Sequence, residues 1–366
     1  MVARQPATAP VPIARLFLEP EVLTILGTYK CTAACENCCF GSNPYLTERL
    51  ALDDILAFIR EGARYPSCKL VAFSGGECFL LGDDLVAAVA YATELGLSTR
   101  CVTNGYWAKS VSHGRRRIRE LADAGLKELN VSTGDFHQRW VAQETVVNAA
   151  CLGVEAGFAD TLVLVELQRE RRVTRRDIES DPRIAALLAG SGGRFRVLES
   201  PWMPTDLHET IAQPEHRMLS RRTLHLRGGC DSVLRTIVVT PSHRLGFCCG
   251  LTREQIPELN TDWDGGPLDP LLEVGGRDLM KIWLYVDGPE RILAWAASKE
   301  PRIEWEDRYA HHCQACLALF ADPLVRDTIR AHFTERVDDV LLRYLSGLRA
   351  AQAADFVPVT AKPNGS

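Results

Sequence analysis

The 366-residue sequence lacks three features that would place it at once in a broad class of proteins. It has no apolar stretch of about 18 residues, so we expect no membrane span, and its N-terminus has no apolar signal-peptide core. It also lacks a basic excess: the formal net charge is -5, which argues against a general nucleic-acid binder. We therefore expect a cytoplasmic globular protein that binds neither membranes nor nucleic acids.

Cysteine, in contrast, is abundant, with 13 residues in the chain. An odd number of cysteines in a long chain without a secretion signal makes a disulfide framework a poor explanation. Reduced cysteines that bind metal, together with a few that fill core sites, fit better. We expect the four isolated cysteines to be packing residues, because free cysteine is among the most buried residue types. These four are Cys68, Cys78, Cys101 and Cys151.

Strand-like and helix-like segments alternate about six times over residues 21–200. Helices that alternate with short, nearly continuous apolar strands predict a parallel sheet with right-handed crossovers. A closed eight-unit barrel normally needs more chain than these units occupy. We therefore predict an α/β fold built on a partial (β/α)6 barrel, with an ordinary doubly wound sheet as the alternative.

The pattern changes after residue 200, where a β-hairpin over residues 236–247 and a loop over residues 260–270 are predicted. We expect the hairpin to belong to a small cysteine-rich domain and the chain to finish with one amphipathic helix. The predicted order is a flexible N-terminal segment, the barrel, a linker, the small domain, the helix and a disordered tail, over residues 1–20, 21–200, 201–229, 230–320, 321–350 and 351–366.

Three cysteines, Cys31, Cys35 and Cys38, follow directly on the first predicted strand. Three thiolates in one short loop can wrap one face of a cubane iron–sulfur cluster and leave its fourth iron open to a small molecule. Zinc is the alternative metal, but it requires a fourth ligand, and the loop offers only Cys39.

This spacing, Cys-x3-Cys-x2-Cys, resembles the signature of the radical S-adenosylmethionine (SAM) superfamily. Ser74-Gly75-Gly76-Glu77 after the second strand resembles the Gly-Gly-Glu motif of that family. The ends of the third and fourth strands carry polar residues that resemble the positions contacting the methionine carboxylate and the ribose. The resemblance implies a SAM-binding [4Fe–4S] cluster on Cys31, Cys35 and Cys38, and SAM contacts from Gly75, Gly76, Glu77, Thr103, Asn104 and Ser132. The family often has an aromatic residue just before the third cysteine, where this chain has Asn37, and Phe40 is the expected substitute.

A second group of cysteines lies in the C-terminal part, where Cys230 and Cys248 flank the predicted hairpin and Cys313-Gln-Ala-Cys316 precedes the last helix. This pattern resembles the twitch domain, the smaller relative of the SPASM extension. The resemblance implies a second, auxiliary [4Fe–4S] cluster on Cys230, Cys248, Cys313 and Cys316. A structural zinc site on the same cysteines and a ligand role for Cys249 in place of Cys248 remain open.

Two candidate catalytic residues, Asp135 and His137, lie in a loop just past the fourth strand. Such a loop opens onto the mouth of a barrel, and a histidine there can move protons near neutral pH. A loop cap and a surface histidine are the alternative interpretation. Glu166 and Gln168, at the end of the fifth strand, are weaker candidates for contact with cofactor or substrate.

The resemblance implies reductive cleavage of SAM to a 5′-deoxyadenosyl radical, hydrogen abstraction from a substrate C–H bond and, through the auxiliary cluster, net oxidation. We expect the substrate to be a ribosomally made precursor peptide. The alternatives are a small-molecule oxidoreductase, such as an aminocyclitol or sugar dehydrogenase, and a non-catalytic iron–sulfur or zinc scaffold. The expected partner is an electron donor such as flavodoxin or ferredoxin. About twenty residues precede the first strand, which leaves no room for the N-terminal leader-binding domain of some peptide maturases, and a separate leader-peptide-binding protein stays open as a second partner.

Overall fold

The computed structural model describes residues 19–36, 38–201, 213–249 and 255–354, with side chains as far as residue 348. Asn37, most of the predicted N-terminal segment and C-terminal tail, and residues 202–212 of the predicted linker therefore lie outside the described residues. Within the described ranges, no helix has both the length and the hydropathy needed to cross a membrane.

A single nine-stranded sheet organises the described part of the chain. Its strands are β1 Val22–Leu26, β2 Leu70–Ser74, β3 Ser98–Thr103, β4 Glu128–Thr133, β5 Asp160–Leu167, β6 Phe195–Pro201, β7 Thr236–Val239, β8 Arg244–Gly246 and β9 Asn260–Asp262. The strands pair in the order β6-β5-β4-β3-β2-β1-β7-β8-β9.

The first six strands are all parallel, and each pairs with its neighbour in sequence. Such winding in one direction is that of a barrel segment, whereas a doubly wound sheet reverses direction at its first strand. The described part of β6 pairs only with β5, so the sheet does not close. The predicted partial (β/α)6 barrel is confirmed.

The helices of the barrel half pack on this sheet through apolar residues at helical spacing. In the first of them, Ile55, Phe58 and Ile59 are fully buried and share one face. The helices as far as residue 190 are α1 Leu52–Gly62, α2 Asp83–Glu94, α3 Val111–Asp123, α4 Asp135–Gln138, α5 Gln143–Glu155, α6 Arg175–Glu179 and α7 Pro182–Gly190.

The predicted hairpin is present, but its strands extend the barrel sheet, which the sequence reading did not anticipate. Strand β7 pairs in parallel with β1, from Val22 opposite Thr236 to Ile25 opposite Val239. Strand β8 returns antiparallel to β7, and β9 adds a strand within the predicted 260–270 loop. Because β1 and β7 run side by side, the segments that follow them leave the same edge of the sheet.

The C-terminal part is helical, with α8 Asp269–Gly276, α9 Leu279–Asp287, α10 Pro289–Lys299, α11 His312–Ala321, α12 Pro323–His332 and α13 Val337–Ala354. The single helix predicted over residues 321–350 was wrong, because a 3-10 turn at Phe333–Glu335 separates α12 from α13. The two halves pack on different helices: α12 contacts α10 and α11, whereas α13 contacts α9. One straight helix cannot lie against both surfaces.

Candidate functional site

A cavity of about 180 Å³ opens at the carboxyl ends of the first four strands. Parallel barrels place their active sites at this end of the sheet. The cavity collects ten of the residues singled out in the sequence, namely Cys31, Cys35, Cys38, Phe40, Gly75, Gly76, Thr103, Asn104, Ser132 and His137. Cys39, Ser42 and Ser74 line it as well.

Gly75 and Gly76 fix the path of the chain into the cysteine loop. The backbone N–H groups of Gly76 and Glu77 donate to the carbonyl oxygens of Thr28 and Lys30, at 2.7 and 2.9 Å. A Cβ atom on Gly76 would lie 2.1 Å from the Lys30 oxygen, and Gly75 has a φ of +119°. Only glycine allows this close backbone approach, so the motif is required by packing as well as by any ligand.

Glu77 is completely buried and does not line the cavity. Its carboxylate accepts hydrogen bonds from the Phe79 N–H at 3.0 Å, the Thr103 hydroxyl at 2.8 Å and the Asn104 N–H at 2.8 Å. Burial raises the pKa of Glu77 to about 7, while these donors act in the opposite direction. In this arrangement Glu77 ties the end of β2 to the end of β3, rather than facing a ligand as the resemblance implied.

Asn104 links the third strand to the cysteine loop. Its side-chain amide donates to the Thr32 hydroxyl at 2.9 Å and to the Cys31 sulfur at 3.5 Å. Its carbonyl oxygen accepts from the Tyr106 N–H at 3.0 Å. Asn104 thus stabilises the turn that follows β3 and also orients Cys31.

The three thiols of the loop lie close enough to influence one another. Burial raises the pKa of Cys31 to about 12, and the nearby Glu77 and Cys38 act in the same direction. Burial also raises the pKa of Cys35, with further contributions from Glu166 and the other two cysteines. A set of soft sulfur donors in a partly buried loop fits an iron–sulfur cluster, whose positive iron atoms stabilise the thiolate form.

Asp135 and His137, predicted together, have different surroundings. The Asp135 carboxylate accepts from the backbone N–H groups of Arg172 and Val173, at 3.0 and 2.7 Å. It therefore holds the loop that follows β5, and it does not line the cavity. His137 does line the cavity, and its Nδ1 pairs with the carboxylate of Glu166.

Glu166 orients His137 from the end of β5. It is 6% exposed, and its second oxygen accepts from the Phe136 N–H at 2.9 Å. A Cβ atom on Gly134 would lie 2.4 Å from the Glu166 side chain, so glycine at that position leaves room for the carboxylate. The result is a carboxylate–histidine pair facing the cysteine loop, and 29 residues separate its members in the sequence.

Comparison with known proteins places this geometry in a family. Residues 25–150 match the profile of the radical SAM superfamily. This part of the chain is a radical SAM domain. It contains the cysteine loop and the first four strands, whose carboxyl ends form the cavity.

The curated relatives cover the same region. YydG of Bacillus subtilis (strain 168), assigned provisionally to peptide biosynthesis, is 24% identical over 119 residues, 32% of this chain and 37% of YydG. The PqqA peptide cyclase of Rhodopseudomonas palustris is 36% identical over 124 residues, 33% of this chain and 30% of the cyclase. The match thus spans about a third of the length of each relative.

Solved structures resemble the chain more distantly. Streptococcus suis SuiB bound to its precursor peptide SuiA has a TM-score of 0.43 at 14% identity, over 74% of this chain and 67% of SuiB. The protein anSMEcpe, solved with AdoMet and the Cp18Cys peptide, has a TM-score of 0.48 at 11% identity, over 85% of this chain and 99% of its own.

Beside the radical SAM domain, the structure brings the second group of cysteines together. Cys313 and Cys316 lie in the first two turns of α11 and interact electrostatically with Cys230 and Cys248, which flank the hairpin. Burial raises the pKa of Cys313 and Cys316. Burial also acts to raise the pKa of Cys230, but contact with His312 outweighs it and the net shift is downward.

Two cysteines that belong to neither proposed ligand set, Cys39 and Cys249, lie between the two groups. Cys249 interacts with Cys313, and Cys39 interacts with Cys38 on one side and with Cys248 and Cys249 on the other. The side chain of Gln255 donates to the Cys39 carbonyl at 2.8 Å. The Cys39 part of the cysteine loop and the chain that follows β8 therefore lie close together.

In neither group do the described cysteine side chains converge closely enough to bind one metal ion. Among the residues that the structure describes, no three His, Cys, Asp or Glu side chains are arranged to hold one metal ion. A cubane cluster has a separate iron for each cysteine, so its thiolates do not converge on a common centre. The wider spacing is therefore compatible with clusters in both groups.

Proposed function

We propose that this protein is a radical SAM enzyme that uses the cavity at the end of β1–β4 to start radical chemistry. The single observation that carries this proposal is the convergence of three thiols from one loop with the polar ends of β2, β3 and β4. When bound there, a [4Fe–4S] cluster supplies the electron that splits SAM into methionine and a 5′-deoxyadenosyl radical.

The chain's own residues have distinct roles in this proposal. Cys31, Cys35 and Cys38 hold three irons and leave the fourth free for SAM. The glycines shape the floor on which the methionine lies, and Asn104 fixes the orientation of Cys31. The walls of the cavity position the substrate carbon next to the radical and keep water away from it.

His137 is the proposed proton acceptor. When a substrate radical is oxidised, a proton must leave it, and His137 is a titratable side chain that lines the cavity. The contact of Nδ1 with the Glu166 carboxylate orients the neutral imidazole, and the carboxylate stabilises the imidazolium that forms after proton transfer. Proton transfer to a positioned histidine typically contributes about 100-fold or more to the rate.

The second group of cysteines is the proposed site of an auxiliary [4Fe–4S] cluster, held by Cys230, Cys248, Cys313 and Cys316. Support comes from their proximity across three segments of chain that are far apart in sequence. A cluster held by these residues would provide an acceptor for the electron that leaves the substrate radical, which would favour oxidative modification over isomerisation. Cys249 is the alternative to Cys248 in this ligand set.

The proposed substrate is a ribosomally made precursor peptide. Support comes from the curated relatives, one assigned provisionally to peptide biosynthesis and one named a peptide cyclase. The reaction also requires an external electron donor, such as flavodoxin or ferredoxin, and a separate leader-binding protein is a proposed partner.

Anaerobic reconstitution tests the proposal. The full chain with SAM and a strong reductant should release 5′-deoxyadenosine and methionine, and should contain about eight irons. Absence of 5′-deoxyadenosine under every reductant and substrate would refute the enzyme proposal. Four irons plus one zinc would replace the auxiliary cluster with a structural site. Mass spectrometry with candidate peptides, compared with aminocyclitols and sugars, tests the substrate class.

A further inference from the structure

Two adjacent histidines precede Cys313 at the start of α11, and they have different surroundings. His311 caps the helix: its Nδ1 accepts from the Cys313 N–H at 3.1 Å. Gln314 completes the cap by accepting from the His311 backbone. His311 is therefore occupied by helix termination, which leaves His312 as the histidine that interacts with the cysteines.

His312 is anchored by a buried carboxylate. Its Nδ1 lies 2.7 Å from Oε2 of Glu290, a residue in the first turn of α10 that is only 2% exposed. Arg227 is the next charged neighbour of Glu290, at 3.9 Å. A buried carboxylate is costly unless it is paired, and this ion-pair contact is the one that Oε2 has among the described residues.

The second ring nitrogen of His312, Nε2, is available for an interaction with the cysteines. Nε2 of His312 is buried, and within the described part of the chain it has no hydrogen-bond partner. The imidazole contacts the side chain of Cys230, which in turn interacts with Cys313 and Cys316. With Nδ1 against the Glu290 carboxylate, Nε2 is a donor when the ring is an imidazolium, and a buried donor without an acceptor is costly. The sulfur of Cys230 is the adjacent group able to accept from it once it is a thiolate.

A role for His312 as a metal ligand is less suited to this arrangement. Five cysteines surround the centre, which is already one more than a four-ligand cluster uses. A hydrogen bond to a ligand sulfur, in contrast, needs only the contact that is present. Such bonds stabilise the reduced, more negative cluster and raise its reduction potential.

We propose that His312, held by Glu290, donates an N–H···S hydrogen bond to Cys230 and thereby raises the reduction potential of the auxiliary centre. This inference rests on the proposed function, because it assumes the auxiliary cluster. In it His312 and Glu290 are positioning residues that contact neither SAM nor the substrate.

The test uses the full chain in the background C31A/C35A/C38A, which lacks the ligands of the first cluster and retains the auxiliary cysteines. Each variant is reconstituted anaerobically, its iron is counted, and its cluster is titrated with dye mediators while the reduced signal is followed by electron paramagnetic resonance. His312→Phe should shift the midpoint potential to a more negative value at unchanged iron content. His312→Gln, which keeps an N–H donor, should restore most of the potential.

Two further variants guard against a general packing effect. Glu290→Gln should shift the potential in the same direction as His312→Phe but by less, and it keeps the volume of the side chain. His311→Asn preserves a helix cap and should leave the potential unchanged. Equal midpoints for the background protein and His312→Phe, or equal shifts for His311→Asn and His312→Phe, would overturn the inference.

Iron content distinguishes a failure of the proposed auxiliary cluster from a failure of the proposed role of His312. If the background protein itself binds no cluster, the auxiliary part of the proposed function fails and the inference fails with it. If the background protein binds about four irons and His312→Phe binds none, then His312 is a ligand and the donor assignment is wrong.

Discussion

The two cysteine groups achieve the same grouping of thiols from very different stretches of chain. In the radical SAM domain, three cysteines come from one eight-residue loop, and the ends of β2 and β3 hold that loop through Gly76, Glu77 and Asn104. In the C-terminal part, the cysteines come from segments up to 86 residues apart and meet where the ends of the β7–β8 hairpin lie beside the start of α11. The first group is therefore organised locally, and the second by the fold.

The surroundings of the two groups differ as well. A neutral amide, Asn104, contacts Cys31, whereas the imidazole of His312 contacts Cys230 with a buried carboxylate behind it. Hydrogen bonds and nearby charge are the main means by which a protein tunes a cluster. Under the proposed function, the two centres would therefore be tuned by different groups, a neutral amide in the first and an imidazole–carboxylate pair in the second.

Substitution of one cysteine in each group should have the largest effect, because only the first group is expected to be needed for SAM cleavage. Cys35→Ala should abolish 5′-deoxyadenosine formation and remove about four of eight irons, because the loop then lacks one of its three ligands. Cys316→Ala should also remove about four irons but leave cleavage of SAM in place. Iron analysis and chromatography of the products check both; loss of SAM cleavage in Cys316→Ala alone would contradict the division of roles.

His137 tests whether the radical SAM cavity also handles the proton. His137→Gln should lower formation of the modified product by about 100-fold, since the proton acceptor is lost. Release of 5′-deoxyadenosine should continue, because the ligands of the first cluster are intact. The exposed His113 in α3 supplies the control, and His113→Gln should behave as wild type; an equal loss of both products in His137→Gln would argue against a role in proton transfer.

Glu77, which ties the ends of β2 and β3 to each other, should give the stability of the chain a pH dependence. Its pKa is about 7 in the folded chain against 4.5 ordinarily, so between these values the folded protein retains a proton that the unfolded chain releases. Its contribution is fully present below about pH 4.5 and is lost as the pH rises to about 7. Relative to Glu77→Gln, the free energy of unfolding of the wild-type chain should fall by roughly 2–3 kcal/mol over this range.

Urea unfolding of the metal-free chain at pH 5 and pH 8 measures this difference. The comparison with Glu77→Gln removes the effect of the other titrating groups. Parallel changes in the two proteins would mean that Glu77 keeps an ordinary pKa in the folded state.

Gly76 tests the packing of the loop against the strand ends. Gly76→Ala places a methyl group against the Lys30 carbonyl and should destabilise the chain by about 1–3 kcal/mol, as overpacking does. Gly190→Ala is the matched control, since a Cβ atom there meets nothing within 4 Å. Urea unfolding measures both, and equal stability of the two variants would show that the loop shifts at no cost.

The smallest effect is expected at Cys39, between the two groups. Cys39→Ser should leave iron content and SAM cleavage within error of wild type, because each group has its full set of ligands without it. A loss of about four irons would make Cys39 a ligand and merge the two groups into a shared arrangement.

Features that depend on local contacts could be predicted from the sequence, and features that depend on long-range contacts could not. The β/α alternation and the cysteine loop depend on contacts close in sequence, and the structure has both. The pairing of β7 with β1 joins residues more than 200 apart, and hydrophobic patterns give no signal for such a partner. Similarly, His137 was a candidate, but the Glu166 that orients it lies on the next strand.

Some side-chain roles were also beyond the sequence. Glu77 lies in a motif whose resemblance pointed to ligand contact, yet its carboxylate is used by the Thr103 hydroxyl and two backbone N–H groups. Asp135 lies in the loop after β4, and only the folded backbone shows that the N–H groups of Arg172 and Val173 donate to its carboxylate. His312 stands beside a second histidine, and only the folded structure shows that His311 caps α11 whereas His312 pairs with Glu290.

The most direct measurement of the central claim is the metal content of three proteins reconstituted side by side: the wild-type chain, C31A/C35A/C38A, and a variant with Cys230, Cys313 and Cys316 replaced by alanine. Two independent sites predict about eight, four and four irons, with SAM altering the spectrum of the wild type and the last variant only. About four irons in the wild type and none in C31A/C35A/C38A would contradict the claim that the second cysteine group holds its own cluster.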